Sequence, residues 1–178
     1  MTKSHYAFAP AFRELYAHAV ELYRDGKRGA ENYFNEVQLG WLAANGIAAQ
    51  HIYDYAEDDV CGGEPGYDNA LAIEIVRRDY FLTEQKGQPS DTVLDQSAMP
   101  AKHDAVEGIT WLPRLLPKTR AKLRGELPPS LMYCCGGDRN FFRTHDILPA
   151  EFIAVVWRHF HDDQAIIAWT RQRIGKSA

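Results

Sequence analysis

Long apolar runs are missing from this chain. No stretch approaches the ~18 consecutive apolar residues that a membrane-spanning helix requires. The start, Met1-Thr2-Lys3-Ser4-His5-Tyr6-Ala7-Phe8, has no apolar core of the kind a secretory leader carries. Cysteine is scarce: Cys61, Cys134 and Cys135 make an odd count without framework spacing. That pattern suits a reducing compartment and points to the cytoplasm. There is no Walker loop, no Gly-x-Gly-x-x-Gly, no Gly-x-Ser-x-Gly and no His-Glu-x-x-His, so the commonest nucleotide, esterase and zinc-protease sites lack support. Internal repeats and low-complexity tracts are absent too.

What is present is ordinary in bulk. The 178 residues are 46% hydrophobic and 25% charged, as in soluble globular proteins. A chain of this length buries roughly 70% of its unfolded surface, so a core needs neither disulfide nor metal. The net charge of −4 argues against non-specific nucleic-acid binding. Its distribution is uneven. Residues 1–100 carry 16 acidic and 8 basic groups, residues 101–178 carry 8 and 12, and arginine outnumbers lysine 13 to 7. Either the two halves neutralise each other, or the second presents an anion-binding surface.

Helical spacing dominates the chain. Phe12, Leu15, Tyr16, Ala19, Leu22 and Tyr23 predict a helix from about Pro10 to Asp25, stopped by Gly26. A second helix is expected over Asn32–Asn45 and a third over Ala48–Val60, together a hairpin of helices around Gly46. Asp68 is a plausible cap for a helix over Asn69–Gln85, whose apolar Ala70–Val76 stretch reads as buried. Residues 86–104 form a polar connection, either a functional lid or a plain crossover. Beyond it, Pro117 opens a helix to about Arg124, Cys134–Arg139 reads as a turn, Pro149 opens another helix, and Asp162 or Asp163 caps a last one. The fold class is all-α: one globular unit over 1–178, with possible subdomains 1–85 and 105–178 joined by the 86–104 loop.

Gly108-Ile109-Thr110-Trp111-Leu112-Pro113-Arg114, followed by Lys118-Thr119-Arg120-Ala121-Lys122-Leu123-Arg124-Gly125-Glu126-Leu127-Pro128, resembles the bacterial domain of unknown function 5069. Pro149-Ala150-Glu151-Phe152 and Asp163–Trp169 extend the resemblance over about residues 105–174. Tyr53–Asp58 and Arg77–Phe81 resemble the upstream part of longer members. The resemblance implies a helical domain and no particular chemistry.

Several constellations hold groups that could react or bind. His51, Asp54, Tyr55 and Asp58 share one helix face, which offers general acid/base groups or an acidic surface for arginines. Arg77 and Arg78 follow the most apolar stretch and require carboxylates, with Asp54, Glu57, Asp58 and Glu74 as candidates; otherwise one of them forks a ligand anion. Lys118, Arg120, Lys122 and Arg124 make a basic stripe, read as a solvated or docking face. In Cys134-Cys135-Gly136-Gly137-Asp138-Arg139, two glycines allow an anion nest beside a cysteine nucleophile or redox sensor; a free cysteine is also often a small buried hydrophobe. His159-Phe160-His161 is better explained as a helix end before an Asp cap than as a metal site, and no metal ligand set is assigned.

These readings converge on a small-molecule-binding protein or enzyme with a polar site between the halves. Cys135, Asp54 and Asp58 would be catalytic, and Arg78, Arg114, Arg139, Gly136 and Gly137 would hold a small anionic ligand. The sequence identifies no cofactor, membrane partners are excluded, and nucleic acid is disfavoured. The alternative is a non-enzymatic interaction module in which the same charges only set packing.

Overall fold

Phe12, Leu15, Tyr16, Ala19 and Tyr23 recur every three or four residues, and helix α1 (Phe8–Arg24) buries all five. In the computed structural model residues 5–175 are described; residues 1–4, part of the Met1–Phe8 segment expected to lack a leader core, and residues 176–178 lie outside them. The second helix is shorter than the expected Asn32–Asn45. A 3₁₀ turn covers Ala30–Asn32, and α2 (Glu36–Ala44) starts only after Asn35. The cause is a reciprocal cap: the Asn35 side chain accepts from the Gln38 amide, and Gln38 returns a bond to the Asn35 amide. After a short turn comes α3 (Ala49–Gly62), which ends at Gly63 in the left-handed conformation.

Helix α4 (Gly66–Thr83) forms where the apolar stretch predicts it, with its polarity partly inverted. Glu74 is fully buried while Ile75 is 47% exposed. Glu74 is held inside by the Tyr55 hydroxyl at 2.8 Å, with the His51 imidazole at 3.9 Å. Arg77 and Arg78 are buried, as their place beside the apolar stretch requires. The Arg77 guanidinium lies so close to Gly125 that a β-carbon there would stand 2.6 Å from Nη2.

The irregular segment after α4 contains a 3₁₀ turn at Gln96–Ala98 and leads into a two-stranded antiparallel hairpin, β1 (Ala105–Val106) and β2 (Ile109–Thr110). Ala105 faces Thr110 and Val106 faces Ile109 across the turn Glu107-Gly108, where both φ angles are positive. Then come α5 (Leu112–Arg124), α6 (Gly136–Thr144), α7 (Pro149–Arg158) and α8 (Asp163–Ile174). The described chain is mainly helical, with only this small hairpin in strands.

Two boundaries differ from expectation for identifiable reasons. Helix α5 begins at Leu112, because Pro113 takes the first-turn place where a missing N–H costs nothing; Pro117 sits inside the helix. The segment from Gly136 is a helix, where Cys134–Arg139 had read as a turn. Its glycine-rich first turn and cysteine N-cap lack the usual capping signal, and only Asp138 in the first turn marks a start. Asp162 caps α8, accepting from the Ala165 amide.

The chain divides into two compact units, Met1–Ile75 and Val76–Ala178, with the division inside α4 rather than in the 86–104 loop. In the first, α1 packs on α3. In the second, α5 packs on α7. An aromatic cluster centres there on Phe152, whose ring lies 5.7 Å from Phe142 and 6.5 Å from Trp169. Since Phe152 is wholly buried, Phe152→Ala is expected to destabilise the second unit by about 3–5 kcal/mol. Urea unfolding followed by tryptophan fluorescence checks this, and a loss below ~1 kcal/mol would contradict the packing described.

Candidate functional site: a buried lysine–aspartate pair beside Cys135

Helix α5 presents Leu112, Leu115, Leu116, Thr119 and Leu123 to the interior of the second unit, and Lys118 lies on the same face. Its ammonium is therefore taken out of water, with a relative exposure of 1% for the residue. A buried charge without a partner is very costly. The partner is Asp138, in the first turn of α6: Lys118 Nζ donates to Asp138 Oδ2 at 2.8 Å. It also lies 3.2 Å from Cys135 Sγ.

Asp138 is itself fully buried and gathers further donors. The Cys134 amide donates to Oδ2 at 2.9 Å, and the Trp111 indole N–H donates to Oδ1 at 2.9 Å. One carboxylate thus receives an ammonium, a backbone amide and an indole. Two of these donors belong to residues in the left-handed region, Trp111 at φ 75° and Cys134 at φ 70°. That conformation is unfavourable for a side chain of either kind and persists only where the surroundings over-determine it. The Trp111 amide bonds Asp104 O at 3.1 Å and its carbonyl receives the Leu115 amide at 3.0 Å, so its backbone is fixed on both sides.

Cys135 is the N-cap residue of α6, half-buried, and not in a disulfide. Its sulfur is in contact with the Lys118 ammonium at the positive end of a helix whose first-turn amides have no intrahelical acceptor. Gly136 and Gly137 are the first two residues of that helix. Neither takes a positive φ, so the glycine-dependent nest conformation expected from the sequence is not the reason for these residues. Gly137 is needed for space: a β-carbon there would stand 2.4 Å from Trp111 Cζ2. Arg139 Nη1 donates to Cys134 O at 2.9 Å and closes the loop before the helix.

The remaining candidates make contacts of their own. Arg114, in the first turn of α5, donates to Pro100 O at 2.8 Å and ties the preceding loop to the helix. Arg78 is buried on α4, and burial lowers its pKa. Asp54 and Asp58 stand one turn apart on α3 in the first unit, where Asp54 accepts from Gln50 at 2.7 Å. The structure therefore brings Cys135, Gly136, Gly137 and Arg139 together at the start of α6. Among the described residues no three His, Cys, Asp or Glu side chains converge as a metal ligand set.

The basic stripe needs correction. Lys118 and Lys122 are buried rather than solvated, and three members find acids inside the second unit. Lys118 pairs with Asp138, Arg120 with Asp163, and Arg124 with Glu126. Lys118, Asp138 and Trp111 were not singled out from sequence as site residues. The available signal was Lys118 falling three residues after Leu115 and three before Ala121, on the buried side of a helix that begins at Leu112.

These features define a small helical domain with a cysteine poised beside a buried ion pair. Residues 96–177, in the second half of the chain, match the family model described as domain of unknown function (DUF5069). Trp111, Lys118, Cys135 and Asp138 all lie inside the match. No curated protein and no solved structure matches the chain.

Removing one partner of a buried pair strands the other charge. Lys118→Met and Asp138→Asn are each expected to cost about 3–5 kcal/mol, whereas the double variant Lys118→Met/Asp138→Asn costs less than the sum. Equilibrium urea unfolding of the four proteins reads this directly. Strict additivity would contradict the pairing.

Proposed function

We propose that the second unit is a small-molecule site at which Cys135 acts as a nucleophilic thiol on the carbonyl carbon of an anionic ligand. The observation that carries this reading is the Lys118 ammonium, 3.2 Å from Cys135 Sγ and itself anchored by Asp138. The ammonium and the α6 N-terminus put positive charge beside the sulfur, where negative charge develops on the substrate during attack. On attack a C–S bond forms and the carbonyl π pair moves to oxygen. The Gly136 and Gly137 amides follow the nucleophile directly, in the sequence position from which backbone N–H groups receive such an oxyanion. Collapse expels the leaving group, which takes a proton from water. A second water then hydrolyses the thioester and returns the thiol. The same amides and the Lys118 charge favour a substrate carrying a carboxylate or phosphate. Three cysteines outside any disulfide agree with a reducing, cytoplasmic setting, and no helix among the described residues is long and apolar enough to cross a membrane.

One observation favours a second reading, a non-enzymatic interaction module. Arg114 and Arg139 each spend a guanidinium N–H on a backbone carbonyl of their own unit, which is what charges kept for packing do.

Iodoacetamide labelling read by peptide mass spectrometry separates the two, because Cys61 is exposed and supplies an internal reference. The thiol reading expects Cys135 to react faster than Cys61 by about tenfold or more despite its lower exposure. Lys118→Met should remove that excess, and inorganic phosphate should slow the labelling. A Cys135 that reacts more slowly than Cys61, with no response to either change, would leave the interaction module as the better account.

A further inference from the structure

On the hairpin side of Trp111, within the second unit, lies a cleft of about 680 Å³ that borders the thiol site at Gly137 but is not lined by Cys135. Its size is that of small-molecule pockets, which run from roughly 300 to 1,000 Å³. Three elements form it: the β1–β2 hairpin, one face of α6 and the last turn of α8. The α6 face follows from spacing, since Gly137, Asn140, Phe141, Thr144 and His145 recur every three or four residues. Gly137 is the position at which a side chain would collide with the Trp111 ring.

The wall is aromatic and electrically neutral. Trp111 and Phe141 line it, and His145 stands edge-on to Phe141 with ring centres 4.6 Å apart. Burial lowers the His145 pKa, so the imidazole is uncharged at neutral pH. At the rim stands Arg171, paired at 2.7 Å with Glu107. Both side chains of that pair are solvent-exposed, and an exposed ion pair is held weakly enough to be exchanged for a ligand anion. Asn140 and Thr144 add an amide and a hydroxyl to an otherwise apolar surface, the sparse polar complement typical of small-molecule sites.

We infer that this cleft binds a flat aromatic molecule bearing a single anionic group, its ring against Trp111 and Phe141 and its anion on Arg171 in place of Glu107. The occupant would touch the indole whose N–H is bonded to Asp138, yet it does not need the Cys135 thiol. The site therefore stands or falls independently of the thiol chemistry.

The test uses the full chain and 1-anilinonaphthalene-8-sulfonate, an aryl sulfonate, with neutral N-phenyl-1-naphthylamine as its uncharged counterpart. Fluorescence titration is expected to give saturable binding of one sulfonate per chain. Thr144→Trp and, as a second filling variant, Asn140→Trp place bulk in the cleft from exposed positions on α6 and should each weaken it by about tenfold or more. Thr92→Trp, outside the cleft, and Cys135→Ala should not change it. Arg171→Gln should weaken the sulfonate several-fold and leave the neutral amine unaffected. Thermal melts matching the parent protein exclude unfolding as the cause. Binding of the sulfonate that is unchanged in both folded tryptophan variants, or an Arg171→Gln effect equal for the charged and neutral probes, would overturn the inference.

Discussion

The second unit depends on one ion pair, Lys118 with Asp138, closed off from water. Everything near it is placed by the requirement that two buried charges be satisfied. Asp138 uses both oxygens, and the donors that reach them come from three chain segments: α5, the loop before α6, and the residue between hairpin and α5. A buried pair of this kind is weak evidence for stability as such, since its desolvation offsets much of its attraction. Its value is geometric. It fixes the angle at which α6 starts relative to α5, and so fixes where the Cys135 sulfur stands.

The strained backbone follows from the same constraint. Trp111 and Cys134 occupy left-handed conformations that cost on the order of 1–2 kcal/mol each. Both send a donor to Asp138, so the pair holds them there. Gly137 belongs to this set because the Trp111 ring lies where its side chain would be. A tryptophan, two cysteines, a glycine, a lysine and an aspartate thus form one device. They span residues 111–138 and fall inside the stretch that matches the DUF5069 family model.

Much of the fold was legible in the sequence, because helices with a one-sided apolar pattern announce themselves. The spacing of Phe12, Leu15, Tyr16 and Ala19 and the αL stops at Gly26 and Gly63 carried α1 and α3. The start of α5 was misplaced because Pro113 and Pro117 are equally good openers on paper, and only tertiary context chooses. Helix α6 was hidden, since Gly136 and Gly137 lower helix propensity and the cap is a cysteine. Cys135 and its glycines were visible as a cluster. Lys118 was not: four cations in seven residues look like a solvated stripe, and nothing local says that Asp138, twenty residues on, draws one of them inside. The acid that pairs with a base is a long-range fact. For the same reason a sequence-wide balance of charge, −8 against +4, suggested partners across halves, while the basic groups at 118, 120 and 124 pair within the second unit.

Hydrogen exchange at two sites tests the hub most directly. If Asp138 receives the Trp111 indole and the Cys134 amide inside a dry core, those two protons exchange among the slowest in the chain, and the Asp138→Asn protein loses their protection while the first unit keeps its own. Rapid exchange of both protons in the unaltered protein, at rates like those of an exposed indole and a loop amide, would contradict the account.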